Sequence, residues 1–224
     1  NTSTATQNVI VDDVTAPAAP GSLPDVVAEC SATLTAPTAS DNCAGTITAT
    51  TTDPVNYIAQ GNYTVTWTFD DGNGNVSSVD QNVIIDDVTA PSAPTLTDAT
   101  GECSVSVTAP TATDNCAGTV TGTTSDPTTY STQGSYVVTW TFDDGNGNTS
   151  TTTQNVIVND VTAPVAPASL PDATGECAVT LNGPVVVDNC GSNITGTAMD
   201  PITGIESTTI TIVDQGTTIV TWTF

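Results

Sequence analysis

Seven residues constrain this chain more than any others: Tyr63-Thr64-Val65-Thr66-Trp67-Thr68-Phe69, apolar at every odd position and Thr at every even one. Successive side chains of a strand point to opposite faces, so this alternation specifies one buried face and one solvated face. Tyr136, Val138, Trp140 and Phe142 repeat the pattern in the same register, and Trp222-Thr223-Phe224 returns its end a third time. The first two copies run into Asp70-Asp71-Gly72-Asn73-Gly74-Asn75 and Asp143-Asp144-Gly145-Asn146-Gly147-Asn148. The Asn-Gly step in each reads as a hairpin turn. A further strand then ends in Gln81-Asn82-Val83-Ile84-Ile85-Asp86-Asp87, a motif repeated from Gln7 and from Gln154. The sequence is an array of one all-β unit.

Three linkers mark the unit boundaries: Val14-Thr15-Ala16-Pro17, Val88-Thr89-Ala90-Pro91 and Val161-Thr162-Ala163-Pro164, with prolines 74 and 73 residues apart. So long a period, with one small core per unit, indicates beads on a string rather than a solenoid. Residues 1–13 read as the last strand of a preceding repeat, 14–87 as repeat 1, 88–160 as repeat 2, and 161–224 as repeat 3 without its final strand. The expectation is a window of a longer protein whose targeting and anchoring segments lie elsewhere. Within each repeat a Glu-Cys pair (Glu29-Cys30, Glu102-Cys103, Glu176-Cys177) opens a strand, and Pro37, Pro110 or Pro184 ends it, because proline cannot donate to a ladder. Asp-Asn-Cys follows at Asp41, Asp114 and Asp188. Repeat 3 departs from the pattern between Ile202 and Val213, where eight extra residues either lengthen a hairpin or add a strand.

The chain has 24 carboxylates and no Lys, Arg or His. It cannot neutralise phosphates, which excludes nucleic acid as a partner, and anionic membrane surfaces repel it. No apolar run is long enough to span a bilayer, so direct membrane insertion is not expected of these residues. With no cationic side chain present, every carboxylate must stay solvated, accept from a backbone N–H, or hold a metal ion. Disorder is excluded as well, since 37% of residues are hydrophobic and they alternate with β-branched Thr.

Glu-Cys, Thr-Ala-Pro-Thr-Ala-Thr-Asp-Asn-Cys (Thr108 to Cys116) and Val-Thr-Trp-Thr-Phe-Asp-Asp-Gly-Asn-Gly-Asn together resemble the hyalin-repeat (HYR) family. More narrowly, they are similar to HYR-like repeats of very large surface proteins from Bacteroidetes. The resemblance covers essentially the whole chain. It implies a tandem array of small immunoglobulin-like antiparallel β-sandwiches in an extracellular, cell-surface, often adhesive protein, and it implies no catalysis. Many HYR repeats carry four cysteines, whereas these carry two each.

In such a sandwich the B–C and F–G loops share the pole at which the linker enters. Asp12 and Asp13 of the linker, Asp41 and Asn42, and Asp70, Asp71, Asn73 and Asn75 are then expected together at one joint. The next joint offers Asp86, Asp87, Asp114, Asn115, Asp143, Asp144, Asn146 and Asn148, and a third offers Asn159, Asp160, Asp188 and Asn189. Hard oxygens from several segments suit Ca2+, and Asp71-Gly72-Asn73-Gly74-Asn75 has the D-x-N-x-N spacing of calcium loops. The plainer alternative is a hairpin turn beside a solvated linker. Adjacent carboxylates on a turn, repeated in every unit, fit no single catalytic cleft, so no catalytic residue is assigned.

The six cysteines form three pairs of equal spacing, Cys30 and Cys43, Cys103 and Cys116, Cys177 and Cys190. An even periodic count without His points to disulfides rather than zinc. Pairing within each repeat would staple a small core and is favoured, provided the chain turns back near the intervening proline. The alternative joins successive repeats, for example Cys30 to Cys116. The expected role is a structural stalk or filament segment of a surface adhesin, stiffened by disulfides and Ca2+. Its partners would be neighbouring repeats and like chains in a fibre. The other readings are a module whose loops bind polysaccharide or protein, and a polymer in which chains exchange strands. On this reading Tyr57 and Tyr130 are the only aromatic residues placed in loops.

Overall fold

The computed structural model describes all 224 residues, Asn1–Phe224. The chain is all-β, built of small sheets of two or three strands, and no helix long and apolar enough to cross a membrane is present. Repeat 1 holds β1 (Val26–Ala28), β2 (Ala32–Thr33), β3 (Thr38–Asp41), β4 (Gly45–Thr48), β5 (Asn56–Tyr57), β6 (Gly61–Asp70) and β7 (Val76–Ile85). Repeat 2 follows with β8 (Ala99–Gly101), β9 (Val105–Ser106), β10 (Thr111–Asp114), β11 (Gly118–Thr121), β12 (Thr129–Tyr130), β13 (Gly134–Asp143) and β14 (Thr149–Val158).

The central element is the hairpin of β6 and β7, paired antiparallel from Asp70↔Val76 at its turn to Gly61↔Ile85 at its open end. Its alternation does what the pattern requires: Val65, Trp67 and Phe69 are 0%, 2% and 0% exposed, while Thr64 and Thr66 face solvent. Val83 and Ile85 cover the same core from β7, with Leu34, Ala39, Ala49 and Tyr57 closing it. Burial of this face is the main driving force for a unit of this size. The Trp67 indole N–H donates to Gln81 Oε1 at 3.0 Å, so its polar edge is satisfied inside the core. At the turn, Gly72 and Gly74 take φ of +80° and +100°, which a residue with a Cβ adopts only at a cost.

Three expectations are corrected. The sheets are not wholly antiparallel, since β1 pairs parallel with β7 and β8 parallel with β14. First and last strands that run the same way place the entry and exit of each repeat at opposite ends of its sheet. Tyr57 and Tyr130 are buried rather than loop-exposed, with ring centroids 4.5 Å from those of Tyr63 and Tyr136 respectively. Each tyrosine sits on a short strand (β5, β12) that pairs with β2 or β9. Finally, Trp222-Thr223-Phe224 forms no strand beyond an isolated bridge from Thr223 to Thr197, and Trp222 is only half-buried. No strand equivalent to β7 lies among residues 161–224 to pair with it.

Repeat 3 contains β15 (Val179–Asn182), β16 (Val185–Val187), β17 (Asn193–Thr195), β18 (Ala198–Met199), β19 (Glu206–Ser207) and β20 (Thr209–Ile212). The extra residues form both the β18–β19 hairpin and the approach to β20. In turn β20 pairs with β15 as β5 pairs with β2. Two compact units emerge: Asn1–Pro94 with Thr111–Gly122 and Thr141–Thr151, and Thr95–Pro110 with Thr123–Trp140 and Thr152–Phe224.

Candidate functional site: two carboxylate joints

Asp41 ends β3, where the chain turns tightly into β4. Its Oδ1 accepts the backbone N–H groups of Cys43 and Ala44, both at 2.8 Å, which is the local reason for an Asp at this turn. Its Oδ2 is buried without any hydrogen-bond partner. Asp71, at the β6–β7 turn, accepts from the N–H groups of Asn73 and Asn75 at 2.8 and 3.1 Å, and from Asn75 Nδ2 at 2.7 Å. The side-chain hydrogen bond from Asn75, reinforced by the turn N–H groups, holds the Asp71 carboxyl below its ordinary value. The third corner is Asp13 of the linker. Asn73 Nδ2 reaches its Oδ2 at 3.3 Å, and Asn75 Nδ2 donates to its backbone carbonyl at 3.0 Å. Asp13, Asp41 and Asp71 each place one carboxylate oxygen within 4.8 Å of the other two.

The same construction recurs with Asp87, Asp114 and Asp144, again with one oxygen each inside 4.8 Å. Asp114 Oδ1 accepts from Cys116 and Ala117, while its Oδ2 is buried and unpartnered. Asp144 is desolvated, which opposes ionisation. The amide of Asn148 and the turn N–H groups outweigh that, and its carboxyl lies below the ordinary value. Asp87 is only 3% exposed, and it accepts from Thr89 N–H and Asn146 Nδ2. Both triads lie within the first compact unit. Neither has a cationic side chain to offset it, because the chain has none.

The remaining candidates lie outside the triads. Asp70 and Asp143 are exposed and accept the N–H of Gly72 and Gly145, which shapes the turn. Asp12 and Asp86 are exposed on the linkers. The Asn42 amide lies against Cys43 Sγ, and that of Asn115 turns to Glu29. Asp160 accepts from Thr162 N–H and Asp188 from Asn189 N–H, and neither joins a three-carboxylate group. The segment equivalent to Asp70–Asn75, which supplies the third corner, is not among residues 161–224.

The disulfides overturn the pairing expected within repeats. Neither Cys30–Cys43, Cys103–Cys116 nor Cys177–Cys190 forms; the bonds are Cys30–Cys116 and Cys103–Cys190, each with Cα atoms 5.0 Å apart, and Cys43 and Cys177 are free thiols. Cys43 sits beside the Asp41 turn, at the end of the repeat where β6 meets β7. Cys30 follows β1, whose last residue Ala28 is level with Ile85 at the other end. Ten residues of strand separate those ends by roughly 30 Å, against a disulfide reach of about 7 Å. Burial and the nearby Asp13 and Asp41 carboxylates push the Cys43 thiol pKa up.

Glu29 and Glu102 are joint residues to which sequence reasoning gave no role. Glu29 Oε2 accepts from Thr89 Oγ1 at 2.8 Å and from Asn115 Nδ2, beside the Cys30–Cys116 bond. Glu102 receives Thr162 Oγ1 and Asn189 Nδ2 in the same way, beside Cys103–Cys190. Gln60 ties together the joint built on Asp87, donating to Glu29 O at 2.9 Å and accepting from Asp87 N–H at 2.8 Å. Gln133 does the same between Glu102 and Asp160. The signal was present in the recurrence of Glu before Cys and of Gln-Gly before β6 and β13. What it lacked was the partner, which lies in the next repeat. Glu29 and Asp87 also approach Cys116, but that sulfur is committed to its disulfide and is no thiolate ligand.

No family model matches the sequence. Hyalin of Strongylocentrotus purpuratus is 35% identical over 181 residues, covering 71% of this chain, and the match spans 15% of hyalin's own length. The chain thus contains hyalin-like repeats and corresponds to a small part of that relative. An endo-fucoidan hydrolase of glycoside hydrolase family 107 aligns over 75% of this chain and 28% of its own, at 16% identity and a TM-score of 0.17. So low a score carries no argument about fold or activity.

Proposed function

We propose that this chain is a structural segment of an extracellular adhesive protein, a run of immunoglobulin-like hyalin-type beads whose joints are stiffened by disulfides and by Ca2+. The observation that carries the reading is the joint itself. A linker carboxylate (Asp13, Asp87) meets a hairpin carboxylate (Asp41, Asp114) and a turn carboxylate (Asp71, Asp144) from the following bead, and each triad contains a buried oxygen with no donor. Three anions this close repel one another and desolvation deepens the cost, so a divalent cation relieves both. The donor set fits Ca2+, which takes hard oxygens from flexible carboxylates with water completing its shell. Asp13, Asp41 and Asp71 would hold one ion, and Asp87, Asp114 and Asp144 the other. Each ion would fix a linker to the bead after it.

Interchain or polysaccharide adhesion through an aromatic face has less support, because Tyr57, Tyr130, Trp67 and Trp140 are all buried. Disulfides between repeats suit an oxidising, extracellular location. The test is titration of the chain with Ca2+ by calorimetry, with melting temperature and X-ray scattering followed before and after EDTA. Saturation at two sites, a higher melting temperature and a more extended, narrower scattering profile with Ca2+ are expected. A chain whose melting and scattering are the same in EDTA and in millimolar Ca2+ would sink the calcium part of the reading.

A further inference from the structure

Asp87 is the carboxylate that repeat 1 contributes to the second triad, and groups from both repeats hold it in place. Its backbone N–H donates to Gln60 Oε1 at 2.8 Å on the repeat 1 side, and its backbone carbonyl accepts from Asn148 Nδ2 at 2.8 Å on the repeat 2 side. Its carboxylate accepts from Thr89 N–H and from Asn146 Nδ2. Asp87 also stands between two clusters. It lies within 4.8 Å of Asp114 and Asp144, and within 4.8 Å of Glu29 and the Cys116 sulfur.

Cys116 links the same clusters a second time. Its backbone N–H and that of Ala117 both donate to Asp114 Oδ1 at 2.8 Å, which leaves Asp114 Oδ2 buried without a donor. Its sulfur is bonded to Cys30 of repeat 1. The turn that orients Asp114 is therefore the turn that the disulfide fastens to repeat 1. Glu29, the residue before Cys30, braces that turn through Asn115 Nδ2 and braces the linker through Thr89 Oγ1.

We infer that the Cys30–Cys116 bond positions the Asp114 corner of the Asp87–Asp114–Asp144 cation site, so that closing the disulfide and binding Ca2+ there strengthen one another. The inference rests on the calcium reading above and adds to it a control by thiol redox state. Both cross-links join the same two parts, the end of repeat 1 and the loops of repeat 2. With the disulfide closed the three carboxylates are already together. With it open they are together in only a fraction of chains, and the apparent Ca2+ affinity falls by that fraction. Linkage makes the effect reciprocal: the factor by which the disulfide raises Ca2+ affinity is the factor by which Ca2+ favours the disulfide over the dithiol. Opening the bond takes two electrons and two protons from a dithiol such as dithiothreitol, which is left as its cyclic disulfide, and yields the Cys30 and Cys116 thiols.

The test uses the full chain carrying D41N, which disables the Asp13–Asp41–Asp71 site and leaves one intact triad. Calorimetric Ca2+ titration compares D41N with D41N/C30S/C116S, in which Cys103–Cys190 is untouched. Binding about tenfold weaker without the disulfide is expected, within the usual range of such couplings. A second measurement needs no cysteine substitution. The D41N chain is equilibrated in dithiothreitol buffers of graded potential, with EDTA or with saturating Ca2+, then alkylated and mapped by mass on the peptides holding Cys30 and Cys116. Ca2+ should lower the reduction potential of that bond by about 30 mV for each tenfold of coupling, and D41N/D114N should show no shift. A potential that Ca2+ leaves unchanged overturns the inference whatever the serine variant does, as does equal Ca2+ affinity with and without the disulfide or a shift that persists in D41N/D114N. In each of those cases Ca2+ binding by D41N leaves the calcium reading standing. A D41N chain that binds no Ca2+ overturns both.

Discussion

Cys30 is bonded to Cys116, 86 residues further along the chain, and not to Cys43, the nearest cysteine in sequence. Around that bond Glu29 accepts from Thr89 and Asn115, so the joint is fastened covalently and by charge-assisted hydrogen bonds at one place. Replacing both partners, as C30S/C116S, removes a cross-link over a long loop, worth about 2–4 kcal/mol. The expected outcome is a clear fall in melting temperature and new proteolysis in the linker at residues 86–91. An intact linker under limited proteolysis would show that the hydrogen bonds alone hold the joint.

Asp41 and Asp114 each carry a buried oxygen without a donor, and their charge should therefore cost stability when no cation is present. D41N and D114N are expected to raise the melting temperature in EDTA and to abolish the rise that Ca2+ gives the unmodified chain. That rise should correspond to about 2.7 kcal/mol per site at a hundredfold excess over the dissociation constant. The opposite signs separate a metal role from a purely structural turn, which D41N would weaken in both conditions.

Acid should weaken the same turns. Hydrogen bonds from Asn75 and Asn148 and from the turn N–H groups hold the Asp71 and Asp144 carboxyls below the ordinary carboxylate value in the folded chain. A depressed folded pKa gives stability that is present above the unfolded value and lost as pH falls through the folded one. Metal-free melting temperature should therefore hold above about pH 4 and drop below it. In N75A the Asp71 titration followed by NMR should move up toward the ordinary value. An unchanged titration would show that the backbone N–H groups alone set it.

Gln81 joins Trp67 Nε1 to Pro24 O inside the sheet. Q81A leaves a buried indole N–H without an acceptor, at a cost of about 1–3 kcal/mol in chemical denaturation. Q154A should cost a similar amount in repeat 2, where the geometry is the same. If either variant matched the unmodified chain, the hydrogen bond to the indole N–H would contribute nothing to stability.

Much of this protein is local and was therefore legible. The buried positions of β6 follow from alternation alone, because a strand of period two has only two faces, and Val65, Trp67 and Phe69 share one of them. The Asn-Gly turns follow from the need for positive φ at Gly72 and Gly74. Three acidic segments lie close together once the strand directions are known, and Asp13, Asp41 and Asp71 come together on that basis. Which member of each segment would face inward was not legible: Asp12 and Asp70 are as acidic as their neighbours and face solvent.

What only the tertiary structure decided are relations between repeats. A spacing of thirteen residues between Cys30 and Cys43 says nothing about direction, and a ten-residue hairpin carries the two to opposite ends of the bead. Glu29 and Gln60 look like ordinary polar residues until Thr89, Asn115 and Asp87 arrive from the linker and the next bead. Periodicity records what one segment buries on itself. A partner some ninety residues away enters only when the folded ends of two beads meet.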